Sequence, residues 1–298
     1  MWRQPYLLLV ATTLMWGGNA VAARLSVGEM SPMVLTTLRW AIAIAALAMF
    51  AQRPIAAEWR SLLRHWPRIL LMSGFGFTIF NALFYLAAET TTAINIGMIQ
   101  GVMPALVMVG SFLAYRIPIR PVQVLGLVVA VAGVAAVVSR GDPAALLRAH
   151  FVIGDLWVLI ACVFYSGYGV SLRGRPAASP LAFFAALALG ALLTSLPLLA
   201  YEAAAGRAVW PGPKGWALIL FIALCPSLIA QVFFMRGVEL IGPGRAGLFI
   251  NLVPVFAALL GVLVLREGFA PYHAAAMALV LGGIWLAERK PSGSTSSS

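Results

Sequence analysis

The chain has 298 residues, of which 62% are hydrophobic and 10% charged, whereas soluble globular domains carry about 25% charged residues. Too little polar surface is available to cover a water-facing fold, which excludes a soluble protein and makes the bilayer the solvent. The net charge of +11 does not point to nucleic acid, because the basic residues stand singly in short gaps between apolar runs, where they suit lipid headgroups.

About 20 mainly apolar residues are needed to cross the hydrocarbon core. Ten runs meet that rule: residues 6–25, 32–51, 67–88, 92–115 and 120–139, then 152–172, 180–201, 214–237, 243–265 and 270–288. The first run, opening MWRQPYLLLVATTLMW, resembles a signal peptide in composition. It lacks a clean small-residue cleavage site and is retained as the first span. Residues 52–66 alternate basic and apolar side chains and are expected to lie along the interface as a short helix. Residues 140–151 form a polar connection, and the Ser-rich residues 291–298 are expected to be a disordered tail. Cys162 and Cys225 lie inside apolar runs and read as free packing thiols rather than as a disulfide or metal pair.

The chain repeats itself. Glu89 to Pro104, ETTTAINIGMIQGVMP, returns 150 residues later as ELIGPGRAGLFINLVP, so that Glu89 falls on Glu239, Gly97 on Gly247 and Pro104 on Pro254. The match extends from Asn81 on Gln231 to Gly133 on Gly283; earlier, Trp16 falls on Tyr165 at an offset of 149. The reading is an all-α integral membrane protein with a first five-helix repeat over 1–139 and a second over 152–290. Five crossings are an odd number, so the second copy enters from the opposite face, as in the inverted repeats of secondary transporters. With the N-terminus inside, thirteen Lys and Arg lie on the cytoplasmic side against six outside, which predicts both termini in the cytoplasm of a bacterial inner membrane.

MWGGNAVAARL in the first span, SPMVLTTLRWAIA in the second, the Pro104 and Pro254 segments, and the ends GLVVAVAGVAAV and ALVLGGIWL resemble the drug/metabolite transporter superfamily, specifically its ten-helix EamA-type branch. The resemblance covers essentially the whole chain. LREGFAP carries the family's acidic loop at Glu267, while Ile117 stands at the matching place in the first half. The resemblance implies export of amino acids, metabolites or toxic compounds, and looks closest to the bacterial amino-acid exporters, aromatic ones included. Multidrug export and export of another metabolite, a nucleoside or sugar, are the alternatives within the superfamily. The first span has no Asp or Glu, so it lacks the proton-exchanging glutamate of the small multidrug members.

Transport needs polar groups that replace water around the substrate at the midplane. Trp16 and Asn19 share a face of the first span, and Tyr165 and Tyr168 have the same spacing in its copy. Asn81, Tyr85, Gln231 and Phe234 come from the third and eighth spans, and Asn95, Gln100 and Asn251 from the fourth and ninth. Aromatic walls with amides suit a neutral or zwitterionic molecule with an apolar part. For each amide the competing role is glue between helices. The third, fourth, eighth and ninth spans are expected to wall the cavity and the first and sixth to complete it. The aliphatic fifth and tenth are expected to be packing or lipid-facing helices.

Arg39 sits about 10 Å into its span at 1.5 Å per residue. Snorkelling to the outer interface is its structural reading; the alternative is attraction of a substrate carboxylate or pairing with an acid. Glu89 and Glu239 stand at helix ends, where capping the following helix is the leading expectation and a coupling role the second. Pro104 and Pro254, at matched depth, are candidates for symmetric gating kinks. The expected partners are a small-molecule substrate and the lipid bilayer, with no nucleic acid, in a monomer or homodimer. No cofactor or metal is expected, and no HExxH or phosphate-binding glycine loop occurs in the sequence. An integral-membrane enzyme and a channel remain as remote alternatives.

Overall fold

The computed structural model describes residues 2–142 and 152–288. The expected tail, and most of the connection between the repeats, lie outside the described residues. The helices in chain order are α1 (Pro5–Ser26), α2 (Pro32–Phe50), α3 (Gln52–Leu63), α4 (Trp66–Ala88), α5 (Ala93–Tyr115), α6 (Pro121–Val138), α7 (Ile153–Gly174), α8 (Pro180–Ala204), α9 (Pro213–Ile241), α10 (Arg245–Leu265) and α11 (Pro271–Glu288). Nine of these are long and apolar enough to cross a membrane, and α11 adds a shorter apolar helix. Proline opens most of them, at the one place in a helix where its missing N–H and fixed φ do no harm. A short amphipathic helix forms within residues 52–66 as expected: α3, with Ile55, Trp59 and Leu62 in the cluster it shares with α8.

The packing is two-fold. α1 lies on α9 and α10, and its counterpart α7 lies on α4 and α5. Three helices meet their own copies: α2 packs on α8, α5 on α10 and α6 on α11. Small residues set the last two of those crossings. A methyl group at Gly97 would stand 2.2 Å from Ala257 Cβ, and one at Gly126 would stand 2.4 Å from the Gly283 carbonyl. Both glycines therefore let backbones approach more closely than any other residue would. The fold is all-helical, two five-span repeats forming one membrane bundle.

Acidic side chains from one half start helices in the other. Glu202, near the end of α8, accepts from the Ser31 hydroxyl at 2.5 Å and from the Met33 and Val34 N–H groups at 3.3 Å, at the start of α2. Glu58 on α3 accepts from the Ser179 N–H at 2.6 Å, at the start of α8. Glu267 accepts from Ala93 and Ile94 N–H at 2.8 and 3.0 Å, at the start of α5. Each satisfies donors that the helix leaves open and sets a negative charge at the positive end of its dipole. Glu89 and Glu239, expected to cap, do not. Glu89 is exposed, and Glu239 forms an exposed 2.9 Å ion pair with Arg236.

Four spans are interrupted, in matched pairs. α4 winds as π-helix over Gly74–Ile79, and α9 does so over Cys225–Ile229. α5 breaks at residues 101–102, before Pro104 in the second position of its next segment. α10 tightens to 3-10 geometry over Leu248–Leu252, before Pro254 in the equivalent position. Each proline deprives the carbonyl four residues earlier, at Gln100 and Ile250, of its α-helical donor. The expected kinks at Pro104 and Pro254 take this form.

Candidate functional site

The interrupted segments converge on a cavity of about 500 Å³ between the halves, within the range of about 300–1,000 Å³ usual for small-molecule sites. From the first half its wall includes Trp16, Asn19, Arg39, Trp40, Phe77, Phe80, Asn81, Gln100 and Pro104. From the second half come Tyr165, Phe184, Pro226, Ser227, Gln231, Ile250, Asn251 and Pro254. The π segments matter here. An i→i+5 turn holds an extra residue and re-aims the side chains that follow; Phe77 and Ser227 lie within these turns, and Phe80, Asn81 and Gln231 directly after them.

Of the residues expected on the wall, Trp16, Asn19, Asn81, Gln100, Tyr165, Gln231 and Asn251 line the cavity. Four do not. Phe234 stands behind Trp16, ring centroids 5.3 Å apart, while the Trp16 indole N–H donates to the Pro226 carbonyl at 3.1 Å. Tyr168 is buried against Phe77, and its ring lies on the backbone at Gly76, where a methyl group would come within 2.4 Å of Tyr168 Cγ. Tyr85 is buried behind the wall and accepts from Arg39. Asn95 belongs to a separate polar cluster: it donates to Asp155 at 3.3 Å, faces His273 Nε2 at 3.4 Å, and shares Asp155 with the Thr91 hydroxyl. That cluster links α5, α7 and α11 and is interhelical glue in form.

The expectation for the fifth and tenth spans is corrected. α6 and α11 reach the cavity through Gln123, Gly126, Ala130, Gly283, Ile284 and Ala287. Their small residues expose wall at the crossing as well as packing there. Their other faces do turn outward, Val128 being 59% and Leu279 37% exposed.

Arg39 does not snorkel. It is 6% exposed and is the one charged side chain among the described residues of the wall. Its Nη1 donates to Asn81 Oδ1 at 2.6 Å and to the Tyr85 hydroxyl at 2.5 Å. The Asn81 Nδ2 donates in turn to the Phe77 carbonyl. Both polar ends of Asn81 are thus committed, and it holds Arg39 rather than standing free. The guanidinium carbon lies 5.1 Å from the Trp40 ring centroid and 5.9 Å from that of Tyr85, cation–π contacts that offset part of the desolvation of a buried charge. No carboxylate lies within 4 Å of it among the described residues. Three residues of the wall each hold a buried polar atom with no partner among the described residues: Arg39 Nε, Trp40 Nε1 and Asn19 Oδ1. Sequence reasoning passed over Trp40, Phe77, Phe80 and Ser227. Adjacency to Arg39 and Asn81, and Pro226 beside Ser227, were the signals available.

An all-helical bundle of two five-span repeats, closing on a cavity between them, is an architecture that suits a membrane transporter. The sequence profile of the EamA-like transporter family matches residues 3–139 and again 152–288, once per repeat, and the chain belongs to that family. It is 26% identical over 283 residues to the uncharacterized transporter YetK of Bacillus subtilis (strain 168), covering 94% of this chain and 86% of that protein. An uncharacterized transporter of Archaeoglobus fulgidus is 24% identical, with 96% of this chain and 99% of that one covered. A crystal structure sharing 22% identity superposes with a TM-score of 0.64 over 95% of this chain and 96% of its own, a likeness of fold.

Proposed function

We propose that the protein is a secondary transporter that exports amino acids, or small metabolites of similar character, across the bacterial inner membrane by alternating access. Both termini are cytoplasmic in this reading, and the halves 1–139 and 152–290 rock against each other around the cavity. The observation that supports it is the make-up of the wall: aromatic rings from both repeats, amides at Asn19, Gln231 and Asn251, and a single charge at Arg39. Such a lining accommodates an apolar body together with a polar head. A cationic drug is disfavoured, because the wall offers a cation and, among the described residues, no carboxylate.

The experiment is counterflow of labelled amino acids into proteoliposomes loaded with unlabelled substrate, with drugs and nucleosides as competitors. Saturable counterflow of an amino acid is expected. Flux that does not saturate would make the protein a channel, and saturable counterflow of a nucleoside or drug alone would move it to another substrate class.

A further inference from the structure

Three residues of the wall keep buried polar atoms without a partner among the described residues, and these atoms are of two kinds. Arg39 and Trp40 are neighbours on α2, each with a buried N–H donor unused. Both hydrogen bonds that Arg39 makes leave from Nη1, which keeps Nε out of the network that fixes the side chain. Nε and the second terminal nitrogen form the edge with which a guanidinium grips a carboxylate through two parallel bonds. Asn19 has its amide within hydrogen-bonding reach of the same Tyr85 hydroxyl that Arg39 bonds. Its Oδ1, buried and unpartnered, is an acceptor.

Buried polar groups in proteins are satisfied as a rule, and an exception calls for a reason. A buried guanidinium without a counter-ion is the costlier exception, since isolated charges away from water are strongly disfavoured. Asn81, Tyr85 and two aromatic faces hold the Arg39 side chain, so its position is fixed while no carboxylate among the described residues compensates its charge. Water alone would serve less well than an anion that brings both charge and two acceptor atoms.

We propose that Arg39, Trp40 and Asn19 form a head-group subsite for a carboxylate-bearing ligand. The Arg39 and Trp40 N–H groups take the carboxylate, and Asn19 Oδ1 accepts from an ammonium or hydroxyl on the adjacent carbon. The apolar remainder of the ligand lies against Phe77, Phe80 and Tyr165. The assignment rests on the reading of the central cavity as the transport site. The repeat gives it a direction: Leu187 occupies the place equivalent to Arg39 at an offset of 148, and is apolar and buried. The head therefore binds to the first half alone, and the ligand has one orientation in a nearly symmetric cavity.

The test uses the purified full-length protein in nanodiscs. Binding is measured by isothermal calorimetry, and by quenching of the fluorescence to which Trp16 and Trp40 contribute. The probes are L-phenylalanine, L-leucine, 3-phenylpropionate, L-phenylalaninamide and 2-phenylethylamine. The expected result is that the acids bind at least tenfold more tightly than the amide or amine of the same skeleton, and that Arg39→Gln abolishes the difference. Arg39→Lys keeps the charge but not the two-bond edge, and is expected to retain a weakened preference. The comparison among probes on the unaltered protein stands even where a variant fails to fold. If the amide or the amine binds as tightly as the acid, the head-group assignment is overturned while the cavity remains the site. If 3-phenylpropionate binds through Arg39 but neither amino acid binds, the subsite stands and the amino-acid reading falls. Binding of none of the five overturns both.

Discussion

Asn81 offers the sharpest separation between a residue that holds the site and one that touches the ligand. Its Oδ1 accepts from Arg39 Nη1 at 2.6 Å and its amide N–H reaches the Phe77 carbonyl. Asn81→Ala removes an acceptor from a charged donor, a loss of about 1.5–3 kcal/mol, or about ten- to a hundredfold in an equilibrium constant. Transport should weaken by that factor in its half-saturation constant, and the protein should lose thermal stability with it. Asn81→Asp has the same shape but sets a carboxylate against the guanidinium. At an effective dielectric of about 20, opposite charges about 4 Å apart attract by about 4 kcal/mol, part of which the buried carboxylate loses again on desolvation and through the lost hydrogen bond to the Phe77 carbonyl. The Arg39 charge is then compensated from within, and a substrate carboxylate must compete with it. Counterflow should fall further than in the Ala variant, by about a hundredfold or more, while the melting temperature in detergent stays above that of the Ala variant. Opposite movement of transport and stability between the two variants is the signature. An Asp variant that transports normally, or one that falls below the Ala variant in both properties, would refute the reasoning.

Other consequences are open to measurement. Glu267→Gln leaves the start of α5 without its anion and should cost about 1–3 kcal/mol, read as a lower melting temperature with transport of the surviving protein little changed. Gly126→Leu drives a side chain into the Gly283 backbone and should abolish the monodisperse peak in size exclusion, whereas Gly282→Leu, where a methyl group meets nothing within 4 Å, should be tolerated. The Ser179 hydroxyl and N–H hold the Glu58 carboxyl below the usual carboxylate range. A depressed acid contributes stability that is present above its unfolded pKa and lost as pH falls through the folded one. The protein should therefore lose stability on acidification from the ordinary Glu value of 4.5 downwards, and Glu58→Gln should remove that component of the loss.

What the sequence revealed, and what it hid, follows from what a repeat can carry. The offset of 150 located the matched helices and the matched prolines Pro104 and Pro254, because equivalent residues impose equivalent geometry in both halves. Side-chain direction is set by partners distant in sequence, and there the reading ran out. Nothing in the neighbourhood of Asn95 tells that Asp155 and His273 will take its amide, or that the Tyr168 ring will close over Gly76. Arg39 was read as reaching outward because its two acceptors, Asn81 and Tyr85, lie 42 and 46 residues away. Polarity marks most of the expected wall, and apart from Gln123 it does not mark α6 and α11, which contribute mainly the absence of bulk at Gly126 and Gly283. The π segments had a visible trace in Pro226 and in the Gly74–Gly76 pair, yet no periodicity rule anticipates one extra residue in a turn.

That extra residue has a geometric consequence for the grip on any ligand. Rewinding Gly74–Ile79 as ordinary α-helix would turn all of α4 beyond it by one residue's step, about 100°, and shift it about 1.5 Å along its axis. Asn81 would leave the wall, and the Arg39 guanidinium would lose its main tether. The equivalent segment in α9 holds Ser227 and Gln231 on the same terms. Each π turn thus acts as a screw thread that sets the angle at which the helix beyond it presents its side chains to the cavity. Spin-label distances across either segment would read the setting directly.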